Sequence, residues 1–305
     1  MAQTSPTQTH GFRGRWNEPE IVSYAQNAED VRLWRVFGGK PNGFYVDVGA
    51  GDPVLRSVTK LFYDAGWSGI NVEPGPSHEE LVKARPRDVN LDLAVSTSEN
   101  EATLWVSAPD PALSAFERPP DELLPKGFSF TRTSVRCARL DALVEEHASG
   151  RVIDFLKVDV EGAEREVLTS FDAEAIRPTV VVVEAISRLE NLPSHEEWEP
   201  LLLDRGYVFA AFDGINRFYV PSEHAELVDT LAYPMSILDR YKLARVTELE
   251  QELRDLYGSR TWRAGRLVAR ASAPIGGTVR LVQRLQLSAA RGKRPPPSDL
   301  ERDAR

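Results

Sequence analysis

Short apolar runs alternate with stretches of helical spacing along most of the chain, the pattern of a parallel sheet flanked by helices. Strands are predicted near 44–48, 69–73, 90–95, 153–158, 179–184, 207–212 and 217–220, with a helix over 54–65 that stops before Gly66. Val180, Val181, Val182 and Val183 form an unbroken β-branched run, which suits a strand covered on both faces. Asp213-Gly214 between the last two strands is a hairpin signal and places an antiparallel edge on the sheet. Between 107 and 131 the periodicity lapses around Pro109, Pro111, Pro119, Pro120 and Pro125. A long loop or lid is expected there, functional or a plain surface insertion, with Phe116, Phe128 and Phe130 either lining a substrate entrance or fastening the loop down.

Beyond Tyr241 the pattern changes to Val246, Leu249, Leu253 and Leu256, a coiled-coil seam that falls short of the three to four heptads a firm assignment needs. A helix packed on its own domain and a helix pairing with a second copy both remain open. The expected organisation is a flexible N-terminus over 1–20, an α/β body over 21–241, a short coiled-coil-like helix over 242–258, a basic amphipathic tail over 259–294 and a disordered end over 295–305.

The chemistry concentrates at Asp47-Val48-Gly49-Ala50-Gly51, where a strand runs straight into a glycine turn. Such a corner lets a ligand approach the main chain closely. A dinucleotide fingerprint asks for a small residue three places after the second glycine, and Val54 stands there. Asp47 instead suits a ligand with a cation near the turn, as in S-adenosylmethionine. Glu73 ends the next predicted strand 22 residues after Gly51, near the ~20-residue spacing at which an acid reaches ribose hydroxyls.

Further segments carry a family resemblance: Ser23-Tyr24-Ala25-Gln26-Asn27-Ala28-Glu29-Asp30, Ser57-Val58-Thr59-Lys60, the stretch from Asp154-Phe155-Leu156-Lys157-Val158-Asp159 through Glu164, and Phe212-Asp213-Gly214-Ile215-Asn216-Arg217-Phe218-Tyr219-Val220. With the glycine corner, and in this order, they make the chain resemble the FkbM-type methyltransferases from about Ile21 to Tyr241. The resemblance implies a Rossmann-like class I α/β fold, a mostly parallel seven-stranded sheet with an antiparallel edge hairpin, to which a C-terminal helical extension is added. It also implies S-adenosylmethionine as cofactor and O-methylation of a sugar or a glycosylated or secondary metabolite. The expected cofactor contacts are Tyr24, Gln26, Asp47, Gly49, Ala50, Gly51, Thr59 and Glu73, with Ser57 beside them. The hydroxyls of Ser57 and Thr59 either bond the methionine carboxylate or cap local backbone. Two other readings stay open: an NAD- or nucleotide-sugar-dependent enzyme using the same corner, and a non-catalytic methyltransferase-like scaffold in polysaccharide assembly.

Methyl transfer to an alcohol needs a base or a metal to take the proton. Ligands of open α/β sheets sit beyond the carboxyl ends of strands, where Asp159, Glu161 and Glu184 fall. Asp159 and Glu161 could instead serve as helix caps, and Glu164 is expected on a solvated helix face. Asp159 and Glu184 could hold a magnesium ion, with His195 as base or third ligand. Asn216 and Arg217 would face the acceptor, or serve only to solvate a turn.

Composition narrows the partners. The 305 residues are 42% apolar, enough for a sizeable core. Cys137 is the single cysteine, and no apolar run of about 18 residues exists, so the expectation is a cytoplasmic protein without a signal peptide or a membrane-spanning helix. Residues 257–294 hold nine basic residues and no acid; the chain carries −9 and this segment +9, which leaves −18 for the rest. A body that acidic excludes nucleic acid as a ready partner and favours a small-molecule or glycan acceptor. The basic tail suits peripheral contact with an anionic membrane face, or a homodimer through the C-terminal helices.

Overall fold

The computed structural model describes residues 20–271, apart from 99, 125, 173–175 and 188–190. The expected basic tail beyond 271 and the ends of the chain lie outside them, as does Pro125. The described chain falls into two units divided after Arg245.

The first unit begins with β1 (Ile21–Ser23) and α1 (Glu29–Phe37), followed by β2 (Phe44–Val48), α2 (Lys60–Asp64), β3 (Ser68–Val72), α3 (His78–Ala84) and β4 (Val89–Leu91). Next come β5 (Ala94–Val95), β6 (Glu101–Ala108), β7 (Ser129–Ala138), α4 (Leu140–Ala148), β8 (Phe155–Val158), α5 (Glu164–Thr169) and β9 (Val180–Glu184). A ribbon of β10 (Ile186–Ser187) and β11 (Leu192–Pro193) leads to α6 (Glu199–Leu203), β12 (Tyr207–Phe212), β13 (Asn216–Pro221), α7 (Val228–Ala232) and β14 (Tyr241–Leu243), which pairs with β1. Then α8 (Ala244–Gly258) and α9 (Arg260–Ala271) follow. The seam residues Val246, Leu249, Leu253 and Leu256 are exposed. None of the described helices is long and apolar enough to cross a membrane.

The main sheet has seven strands in the order β12-β13-β9-β8-β2-β3-β4, with β13 antiparallel to both neighbours and the other pairs parallel. This is the Rossmann-like arrangement expected from the sequence. Alternation splits the core into two layers. Val46, Val48, Leu156, Val158, Val181 and Val183 face α4, α5 and α6, while Tyr45, Phe155, Val180, Val182 and Phe218 face α1, α2 and α7. Asp47 and Lys157 are Cα partners in the β2–β8 ladder and so point to the same side, a buried charge pair set into the second layer.

Three expectations change. The helix over 54–65 shrinks to α2, because the Asp52 carboxylate accepts from the N–H groups of Val54 and Leu55 and Arg56 takes φ 61°, which a helix does not allow. The strand over 90–95 divides at Asp92: β4 stays in the main sheet while β5 pairs with β7. The lapse over 107–131 is the tip of a long antiparallel arm, β6 with β7. One face of that arm packs through Leu104, Val135 and Cys137 on Ala94.

The N-terminal motif is structural at its acidic end. Asp30 is buried and accepts from Ser23 Oγ (2.7 Å) and the Tyr24 N–H (2.7 Å). Glu29, also buried, accepts from the Asn27 N–H (2.7 Å) and Asn216 Nδ2 (2.8 Å). Burial, and then the charge of Asp213, raises the Glu29 carboxyl to about 7; burial raises that of Asp30 to about 6. A carboxyl whose value rises on folding stabilises the fold fully below its unfolded range and loses that contribution as pH climbs through the folded value. Stability is therefore expected to fall between about pH 4.5 and pH 7, by on the order of 3 kcal/mol from Glu29 at about 1.4 kcal/mol per pH unit, with Asp30 adding a loss of similar size between about pH 4 and pH 6. Thermal midpoints across that range check it, and Glu29→Gln should remove the Glu29 share of the slope above about pH 6 while leaving that of Asp30.

Candidate functional site

A cavity of about 440 Å³ opens beyond the carboxyl ends of β2, β3 and β8. Its floor is the glycine turn. Gly49 has φ 77°, and a Cβ there would lie 1.8 Å from the Asp159 carbonyl oxygen, so only glycine permits the two strand-end loops to touch. Gly51 (φ 59°) and Ala50 also line the cavity.

Glu73 follows β3 and spans the cavity's edge. Its Oε2 accepts from the Gly51 N–H (2.8 Å) and its Oε1 from the Gly75 N–H (2.7 Å). Burial raises its carboxyl above the ordinary value, against those two hydrogen bonds and the ammonium of Lys157. Each oxygen keeps a lone pair for a ligand hydroxyl.

Asp159 and Glu161 line the same cavity, on the loop between β8 and α5. With Glu184 at the end of β9 they form a cluster whose carboxylate oxygens lie within 4.8 Å of one another. Glu161 holds φ 53°. The loop is tied by Glu164, which accepts from the N–H groups of Val160 (3.2 Å) and Gly162 (3.1 Å). Glu164 is thus buried and positions the acids, where the sequence suggested a solvated face. His195 lies outside the cluster, its ring 6.5 Å from that of Trp198, so the third acid is Glu161.

Lys157 is the residue that sequence reasoning missed. Its ammonium donates to the Gly49 carbonyl (2.6 Å), lies 3.2 Å from Asp47 Oδ1 in a charge contact without hydrogen-bond alignment, and lies 3.5 Å from Asp159 Oδ2. Burial alone would push the ammonium down; the carboxylates of Asp47, Asp159 and Glu184 outweigh it and hold the value above the ordinary one. A lysine inside an apolar strand was the available signal. The arm adds a wall through Asp110 and Phe116, and Arg56 joins Asp110 at 3.1 Å across the mouth. Phe116 both packs on the arm's core and lines the cavity.

Several expected contacts fall elsewhere. Asp47 is buried beneath the turn, held by Lys157 and by Thr59 Oγ1 (2.9 Å), so neither Asp47 nor Thr59 lines the cavity. Ser57 accepts from the buried guanidinium of Arg85 (2.9 Å). Tyr24 lies under the Lys60 ammonium, 5.1 Å from its ring centre, and Gln26 lines a second cavity. Asn216 is turned onto Glu29, and Arg217 onto Glu199 at 2.9 Å, so neither faces the first cavity.

The model of the methyltransferase FkbM domain matches residues 47–209, more than half of the chain. The chain belongs to the FkbM methyltransferase family. A search of curated proteins found no match. Among solved structures, a precorrin-6y C5,15-methyltransferase from Geobacter metallireducens is similar at 11% identity and TM-score 0.34, covering 66% of this chain and 91% of that one. A Burkholderia thailandensis 1,6-didemethyltoxoflavin-N1-methyltransferase with bound 1,6-didemethyltoxoflavin and S-adenosylhomocysteine is similar at 12% identity and TM-score 0.33, covering 65% of this chain and 77% of that one. In this FkbM methyltransferase the family match includes the glycine turn, Glu73, Lys157 and the three clustered acids.

Proposed function

We propose that this FkbM methyltransferase transfers the methyl group of S-adenosylmethionine to a hydroxyl of a sugar or glycosylated metabolite. The observation that carries the reading is one cavity that presents Glu73, locked onto the glycine turn, together with Asp159 and Glu161. Glu73 would hold ribose hydroxyls, and Val95, Leu104 and Phe116 offer an apolar wall for the adenine. S-adenosylmethionine, when bound, supplies a methyl group on a sulfonium that leaves as a neutral thioether.

What remains for the protein is to orient the acceptor and accept its proton. Asp159 would take that proton from an acceptor hydroxyl held beside it in the cavity. Lys157, whose ammonium lies 3.5 Å from Asp159 Oδ2, keeps that carboxylate aimed until the acceptor arrives. The donor set also fits a hard cation: Asp159, Glu161 and Glu184 would hold magnesium, which when bound would acidify a coordinated hydroxyl.

A dinucleotide enzyme is disfavoured because α2 begins only at Lys60, well past Gly51, so no helix N-terminus stands at the turn to receive a pyrophosphate. A scaffold would bind the cofactor without turnover. Incubation with methyl-labelled S-adenosylmethionine and a panel of glycosides tests the proposal. A labelled, base-stable methyl ether in the product supports it; label on nitrogen or carbon, or on nothing, refutes it.

A further inference from the structure

The N-terminal motif is not absorbed by the first cavity, and its middle lines a second one of about 370 Å³ with Gln26, Asn27, Arg32, Phe212 and Asp213. The second cavity sits at the same edge of the sheet as the acids. Asn216 at the start of β13 is the Cα partner of Glu184, and its Nδ2 lies 3.4 Å from Asp213 Oδ2. We propose that this cavity is the distal part of the acceptor site and takes a neutral, polyhydroxylated ring of the acceptor. The proposal rests on the methyltransferase reading above.

Arg32 is the main reason. It is 4% exposed, yet among the described residues its guanidinium makes a single hydrogen bond, to the Leu231 carbonyl, and has no carboxylate at salt-bridge distance. The guanidinium lies 5.2 Å from the Phe218 ring centre, and its remaining N–H donors open onto the cavity, where a ligand that accepts hydrogen bonds can meet them. Asp213 holds the ligand class to neutral molecules. Its Oδ1 accepts from the N–H groups of Ile215 (2.8 Å) and Asn216 (2.7 Å), which fixes a carboxylate on the same wall. An anion bound at Arg32 would meet Asp213 and Glu29, and a cation would meet Arg32.

Vicinal hydroxyls satisfy both, accepting from Arg32 and donating to Asp213, with the exposed amides of Gln26 and Asn27 serving either role. Phe212, 47% exposed, supplies the flat apolar face on which the C–H side of a pyranose rests. The volume lies within the range of about 300–1,000 Å³ for small-molecule sites.

The full chain is titrated with the methyl glycosides of glucose, mannose and rhamnose, and with methyl glucuronide, by saturation-transfer NMR and calorimetry. S-adenosylhomocysteine is titrated in parallel. At least one neutral glycoside is expected to bind, to weaken roughly tenfold in Phe212→Ala and to weaken measurably in Gln26→Ala, with S-adenosylhomocysteine affinity unchanged in both exposed-residue variants. Binding of methyl glucuronide alone, neutral binding unaffected in both variants, or no glycoside binding while S-adenosylhomocysteine binds would overturn the assignment and leave the methyltransferase reading standing. Glycoside binding without any S-adenosylhomocysteine binding would remove the acceptor role together with that reading.

Discussion

Replacing Lys157 with methionine is expected to lower the stability of the first unit by about 3–5 kcal/mol, the cost of breaking a buried pair by removing one partner. The substitution keeps the volume and the strand, so packing changes little. What it removes is the ammonium that faces Asp47, Asp159 and Glu184 together. Asp47 is 1% exposed and, among the described residues, keeps only Thr59 as a hydrogen-bonding partner for Oδ2, so its charge is left in the core without compensation. Urea unfolding of both proteins reads the difference directly. A loss under 1 kcal/mol would mean that the pair lies open to water.

The second large effect is catalytic. Asp159→Asn should reduce turnover by about 10²- to 10⁴-fold, the span typical of a lost general base, while S-adenosylhomocysteine still binds. Asparagine matches the carboxylate in shape and keeps an oxygen toward Lys157, so the β8 loop, which Glu164 ties independently, should hold its place. The readout that separates chemistry from positioning is the pH profile. The wild-type rate should rise through the ionisation of its base, and the variant's residual rate should lose that limb. Equal loss in turnover and in cofactor affinity would instead assign Asp159 to holding the methionine end.

How far the chain could be read in advance varied with what each residue packs against. The strands of the main sheet were legible because they are covered on both faces, so that β9 reads as uninterrupted valine and β12 and β13 announce their turn through Asp213-Gly214. The β6–β7 arm was not, because most of β7 is exposed and the apolar alternation that marks a strand is diluted by Thr131, Arg132, Thr133 and Ser134. At the site, the acids at strand ends were visible because position along a strand predicts the cleft. The cleft-facing direction of Asp47 was not: a period of two turns it toward the α1–α2 face, and only the register against β8 reveals Lys157 as its partner. Likewise Thr59 and Asn216 have the chemistry of ligand contacts, but tertiary partners, Asp47 and Glu29, claim them first.

On the proposed reading, Glu73 and the glycine turn form an adenosine-binding corner. Calorimetric titration of S-adenosylhomocysteine into the wild type and into Glu73→Ala, each with its unfolding midpoint recorded, tests it most directly. Binding by the wild type is expected, with about a hundredfold weaker binding by a folded Glu73→Ala, the loss of charge-assisted hydrogen bonds worth roughly 1.5–3 kcal/mol each. Equal affinity in the two proteins, or no binding by the wild type, would contradict it.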